Sequence, residues 1–313
     1  MGVKKPNIIA FFTVISAWSQ NDTIKSAHFK TYEESIISSL YYLDTSNSFE
    51  IIYNANNTIN YLNLEPNKRA QIGANVSYKL IDISYGFSPS FLTENKDNSG
   101  SKHYTISTRF YLKKWMQSFT FINQTGFYIS EGATETAFPK MRTTKIGGTT
   151  SYVFNDTFSF KTLANQKEWQ TTSAGSFIPN FSIYYTNIDL NSPTAGTHSD
   201  IFIFSLAPSY FYNWVIHEKL LLSAGLSAGY GLNSVDGDVY GIAEVSSNFK
   251  IGYNTDTFFT FINYNFSKFN QNTNTQIRLN DAINTFKFTL GYRFKAPKKL
   301  TQLYDKANKK IGI

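Results

Sequence analysis

Residues 284–294 alternate without interruption. Phe286, Phe288, Leu290, Tyr292 and Phe294 occupy one parity, and Thr285, Lys287, Thr289, Gly291 and Arg293 the other. Successive strand residues point to opposite faces, so a period of two predicts a β-strand with one apolar and one wet face. The pattern recurs. Residues 70–80 set Ala70, Ile72, Ala74, Val76, Tyr78 and Leu80 against Gln71, Gly73, Asn75, Ser77 and Lys79; residues 81–88 set Ile81, Ile83, Tyr85 and Phe87 against Asp82, Ser84, Gly86 and Ser88. Further strands are predicted over 103–112, 115–128, 142–154, 177–187, 201–212, 220–232, 239–253 and 258–268. Another is predicted over 158–165, where Phe158, Phe160, Thr162 and Ala164 oppose Ser159, Lys161 and Asn165. Near the N-terminus, 35–43, 49–54 and 58–64 read as short strands, the first two parted by Asp44-Thr45-Ser46-Asn47.

The connections carry a second pattern. Tight ones are predicted at 80–81, 113–114, 155–156 and 254–257, and long polar ones at 93–102, 130–141, 187–200 and 270–283. Short turns at one end and long loops at the other are the asymmetry of outer-membrane barrels. Counted from the two chain ends, the alternation disagrees by one strand. Either an early run is half a strand, or the segment around 169–176 is not a simple hairpin turn.

A soluble secreted β-sandwich also has one dry and one solvated face, and it stands as the alternative fold. Composition separates the two. Aromatic residues make up 17% and charged residues only 16%, against about 25% charged in an ordinary water-soluble domain. The mean hydropathy of −0.28 is near neutral, as alternation between lipid and water produces. Residues 1–19 have a basic start, an apolar stretch from Ile8 to Ser16 and Ala17-Trp18-Ser19, which reads as a secretory signal peptide. With no cysteine there is neither a disulfide framework nor a lipid-anchor site. The predicted fold is therefore all-β, a single antiparallel transmembrane β-barrel of about 12–14 strands, each near ten residues long. Residues 20–34 form an N-terminal lead, 35–295 the barrel, and 296–313 a basic periplasmic tail. The location expected is the outer membrane. The partners expected are its lipid, the machinery that inserts barrels, and cell wall or inner-leaflet headgroups touched by the tail. The net charge of +7 is partly this tail, and an exported chain rarely meets nucleic acid.

Three stretches together resemble one family: Trp169 to Phe177, which contains Ser173, Ala174, Gly175, Ser176 and Phe177; Ala207-Pro208-Ser209-Tyr210 followed by 221–232; and 290–294 followed by Pro297-Lys298-Lys299-Leu300. The family is the uncharacterised one called domain of unknown function 4421, associated with outer-membrane barrels of Gram-negative bacteria. The similarity extends over most of the chain and is weakest in the N-terminal third. It implies a barrel and its location, and brings no catalytic residues. The closing stretch, with Gly291, Tyr292 and Phe294, is also similar to the C-terminal signal read by the insertion machinery.

Candidate chemistry is sparse. His198-Ser199-Asp200 contains the residue types of a hydrolase triad, but neighbours on a strand point to opposite faces and cannot converge as a triad requires. Asp236-Gly237-Asp238 lacks the remaining ligands of a calcium loop. No metal or cofactor spacing is present. What stands out is the wet parity, which carries Lys79, Arg109, Lys145, Lys161, Lys250, Lys287 and Arg293 against Asp82 and Glu244. If these faces line a lumen, it is mainly basic and weakly prefers anionic solutes; alternatively the charges only pair across strands and with inward loops. The function expected is a pore or structural barrel, with an outer-membrane enzyme acting on lipid or protein as the rival reading.

Overall fold

A computed structural model describes residues 28–32, 34–55, 58–79, 81–93, 101–131, 134–164, 167–190, 198–272 and 277–311. The predicted signal peptide, residues 20–27 of the lead and most of the 93–102 connection lie outside them. The strands are β1 (Phe29–Thr31), β2 (Ser35–Ala55), β3 (Thr58–Pro66), β4 (Gln71–Tyr78), β5 (Ile81–Phe87), β6 (Lys102–Leu112), β7 (Trp115–Glu131), β8 (Thr134–Tyr152), β9 (Glu168–Gln170), β10 (Ala174–Asp189), β11 (His198–Ile216), β12 (Leu220–Val235), β13 (Asp238–Asn254), β14 (Phe258–Asn272) and β15 (Ile277–Lys295). Two helices accompany them, α1 (Lys161–Ala164) and α2 (Lys298–Ile311).

Thirteen strands form one antiparallel sheet, and ten of them close on themselves in the order β2-β3-β7-β8-β10-β11-β12-β13-β14-β15, with β15 pairing back to β2 along its whole length. The molecule is a closed antiparallel β-barrel. β2 changes neighbours partway: residues 49–55 pair with β3, and residues 37–43 pair with β4. A hairpin of β4 and β5, and the strand β6 paired to β7, are thereby inserted into the wall on the side of the two termini. At this junction β7 carries a bulge at Gly126, whose φ of +89° an L side chain rarely adopts.

The strands are longer than the periodicity predicted; β2 has 21 residues. Asp44–Asn47 do not break it, because Thr45 and Asn47 point inward, toward Thr285 and Asp281 respectively. Nor is 130–141 a long loop, since β7 runs to Glu131 and β8 begins at Thr134. The parity conflict has its origin in 153–173, a long connection beside the termini where a hairpin and a strand were predicted. Phe158, Phe160 and Thr162 alternate by chance, and the segment instead contains α1 and β9, which pairs with β1.

The outward parity forms an apolar belt. On β11 it runs Phe202, Phe204, Leu206, Tyr210, Tyr212 and Trp214, and on β15 Phe286, Leu290, Tyr292 and Phe294, all exposed. These spans, 13 and 9 residues long, bracket the roughly 9–11 tilted residues that cross a bilayer. Away from the termini the wall continues past the belt and turns polar, with Lys268 and Asn280 both donating to Glu50 (3.1 and 2.7 Å). Leu226 stands in the belt at 63% exposure. Leu226→Arg is expected to cost about 2–4 kcal/mol at the bilayer midplane, measured by urea unfolding in lipid vesicles; no change would place the belt in water.

Candidate functional site

Two obstructions divide the barrel interior. In the half away from the termini, inward Phe49, Leu64, Phe127, Met141, Ile188, Ile201, Ile203, Ile242 and Phe269 form a continuous apolar core. In the mouth beside the termini, 155–173 folds into the barrel with the lead residues His28–Tyr32. Its backbone leaves the regular sheet there, so its polar groups need other partners. The inner wall supplies them: Lys250 Nζ donates to the Thr162 carbonyl (2.5 Å), Asn263 Nδ2 to the Leu163 carbonyl (3.2 Å), and Asn213 Nδ2 to the Ser159 carbonyl (3.4 Å). Gln170 Nε2 donates to the carbonyls of Thr157 and His28, joining plug and lead. The buried indole of Trp169 donates to the Glu218 carbonyl (2.8 Å) and packs with Tyr32, Ile37, Leu221, Phe259 and Phe261. Arg293 closes the arrangement, its guanidinium 3.7 Å from the centre of the Tyr32 ring and bonded to the Thr255 carbonyl.

Between core and plug lies a polar layer. Lys145 on β8 reaches across the interior to Asp281 on β15; the lysine is fully buried, and Asp281 also accepts from Asn47. Glu244 is buried and accepts from Ser205. Lys250 and Lys287 stand at one level, both in register with Asn263 on β14, and Lys250 also feels the charge of Arg109. Lys287 lies 4.6 Å from the centre of the Tyr41 ring.

The other sequence-predicted charges sit elsewhere. Lys161 is on α1 in the plug and pairs with Glu168 at 2.8 Å, not on a wall strand. Asp82 falls on β5. Lys79 is in the turn after β4, between Glu34 and Asp305. Burial there opposes its charge, but the bond to Asp305 and the nearby acid outweigh it and hold the ammonium above its ordinary value. The raised value makes this link stabilising below the ordinary lysine range and lost as pH climbs above it. The tail is accordingly not a fully solvated extension. It forms α2, which docks through Asp305 and through Tyr304, edge-on to Tyr78.

Ser173 to Phe177 mark where the plug returns to the wall. Ser173 Oγ accepts from the Val215 amide, Ser176 Oγ from the Asn155 amide, and the Gly175 carbonyl from Asn155 Nδ2, while Ala174 is buried and Phe177 points outward. In the closing strand a Cβ on Gly291 would lie 2.0 Å from the Phe259 ring, and the outward Tyr292 and Phe294 rings are 4.9 Å apart. Tyr292→Ala combined with Phe294→Ala is expected to lower the yield of assembled, heat-modifiable barrel in cells; a normal yield would remove the proposed insertion signal.

Sequence reasoning missed Asn47, Asn213, Asn263 and Asp281 as site residues; their only signal was polar side chains on inward parities. Trp169 and Gln170 were visible only as the start of the family-like stretch. The histidines build no triad among the described residues. His198 faces Asp189 (3.8 Å), whereas Ser199 donates to Asp236 (2.8 Å). His28 bonds Thr172 and His103 bonds Thr105. No group of three or more metal-binding side chains occurs among the described residues.

Fold and site together define a class: a closed β-barrel with an apolar outer belt and an interior filled by its own residues. The chain belongs to the family described as Domain of unknown function (DUF4421), which matches residues 20–294. No curated protein matches it. Among solved structures it is similar to the outer membrane protease OmpT from Escherichia coli, at 8% identity and a TM-score of 0.42, covering 85% of this chain and 98% of that one. It is also similar to the outer membrane protein OprG from Pseudomonas aeruginosa (8%, TM-score 0.25, 85% and 99% covered) and to the P. putida toluene transporter TodX (7%, TM-score 0.24, 85% and 91% covered).

Proposed function

We propose that the protein is an outer-membrane barrel, exported by its N-terminal signal, that is closed along its axis and has a basic middle layer preferring anions. The observation that carries this reading is the pair of obstructions in series, the plug held by Lys250, Asn263 and Asn213 and the apolar core around Phe127 and Ile203. A standing pore needs neither. Between them Arg109, Lys250 and Lys287 outweigh Glu244, because Lys145 is neutralised by Asp281, and Arg293 adds positive charge at the plug. Clustered guanidinium and ammonium groups favour anions. In planar bilayers with a salt gradient the native chain is expected to show no steady conductance, and any leak should reverse on the anion side. A large standing conductance would restore the pore, and reversal on the cation side would reject the charge argument. Recovery of the native protein without detergent after cell fractionation would overturn the membrane location.

A further inference from the structure

The wall is continuous among the described residues except between β5 and β6. Among the described residues β5 pairs only with β4 and β6 only with β7, so two strand edges face each other without a shared ladder. Above this notch the wall closes again: β3 pairs directly with β7, Thr93 bridges Arg69, and Arg69 donates to Ser101. β5 has seven residues, which makes the notch roughly 20 Å tall at strand spacing. Its outward rims belong to the apolar belt, with Tyr85 and Phe87 on one side and Tyr104, Ile106, Phe110 and Leu112 on the other, all exposed. An unpaired edge at bilayer depth is tolerated only where it lines a polar or water-filled cavity.

The inward rims are polar. Ser84 on β5 and Ser107 and Arg109 on β6 are exposed although they lie on the inward parity. Ser84 and Arg109 each lie three residues in from one end of their strand, at Ile81 and Leu112. From inside, Tyr41 lies across β4 and β5 and its hydroxyl accepts from Ser84 (3.0 Å). This is possible because Gly73 and Gly86 present no side chain, and a Cβ on either would approach Tyr41 to 2.3 or 2.7 Å. Lys287 covers the same ring. The notch thus joins an apolar exterior to a hydroxyl-lined interior in which Arg109 and Lys287 outnumber Asp82, on the inward parity of β5.

We propose that this notch is a lateral binding site for an anionic phospholipid of the surrounding bilayer. The phosphate lies between Arg109 and Lys287 with water beside it at the two strand edges, and an acyl chain packs on the outward side chains of β5 and β6. The inference rests on the membrane location proposed above. A phosphate accepts several charge-assisted hydrogen bonds from such groups, and a single chain satisfies the apolar rims that a small soluble anion leaves bare. The test uses the full chain in bilayer nanodiscs of phosphatidylethanolamine doped with phosphatidylglycerol carrying a photoactivatable acyl chain. Cross-links are expected to concentrate on the β5 and β6 peptides. Arg109→Gln with Lys287→Gln should lower that yield about a hundredfold, the loss of two charge-assisted contacts, whereas Arg109→Lys with Lys287→Arg retains it. A phosphatidylcholine probe, whose choline cation opposes Arg109 and Lys287, should label these peptides less than the phosphatidylglycerol probe in the native chain, and heat-modifiable migration verifies folding. Uniform labelling around the belt, charge-blind labelling, β5–β6 cross-links between two copies, or stronger labelling by a free fatty-acid probe would each overturn the assignment. A chain that does not insert into the discs instead overturns the membrane location.

Discussion

Asp281→Ala is expected to destabilise the barrel by about 3–5 kcal/mol. The substitution removes, among the described residues, the only carboxylate bonded to Lys145, a side chain with no solvent exposure, and takes one of two acceptors from Asn47, which keeps the Ala282 carbonyl. Lys145 then retains its charge only beside the rings of Tyr184 and Phe269, whose attraction offsets part of its desolvation. Replacing both partners, as in Lys145→Met with Asp281→Leu, should be close to neutral, because no buried charge is left behind. Urea unfolding of the two single variants and the double variant in lipid vesicles measures both statements. Equal destabilisation of single and double variants would mean that packing, not charge, is what this layer contributes.

Trp169→Ala is expected to weaken the plug by about 3–5 kcal/mol. The indole is 1% exposed, touches wall residues from β2, β12 and β14, and makes its one hydrogen bond to the turn carbonyl of Glu218. The effect should be local, since the ten-strand circuit does not include β1 or β9. Hydrogen exchange is therefore expected to accelerate over 155–173 and 28–32 while β11 to β15 stay protected. Uniform acceleration across the wall would show that plug and wall unfold as one unit.

The alternation of Leu290, Tyr292 and Phe294 with Thr289, Gly291 and Arg293 was legible because a membrane barrel writes its two solvents directly onto parity. That rule fails where the solvents are not lipid and water. On β11, Ile201, Phe202, Ile203 and Phe204 are apolar on both parities because the inner face there packs into a core, and a lumen assumed to be wet hid it. Thr45 and Asn47 looked like a break because an inward polar pair in a filled barrel resembles a loop in sequence. Beyond the belt, 130–141 has no lipid to mark its outward face, so a strand read as a connection. For 158–165 the periodicity was present and the strand was not; only the wall partners Lys250, Asn263 and Asn213, 50 to 100 residues away, decide its path. The basic set on the wet parity was visible, but the neutralising role of Asp281 depends on which strands face each other across the interior.

The pairing of β15 with β2 has a kinetic consequence. Ser35 meets Lys295 and Tyr53 meets Ile277, so the wall cannot seal until the final strand has been delivered. Contacts this distant in sequence form slowly because loop closure must precede them. β2 acquires its β3 and β4 neighbours from nearby sequence, and one of its edges is covered early. Its other edge, carrying the backbone of Ser35 to Tyr53, waits through the synthesis of every intervening strand and would template aggregation if left bare. Assembly of this barrel is therefore limited by how long that one edge is shielded, and slowing the arrival of β15 should cost yield in proportion to the wait.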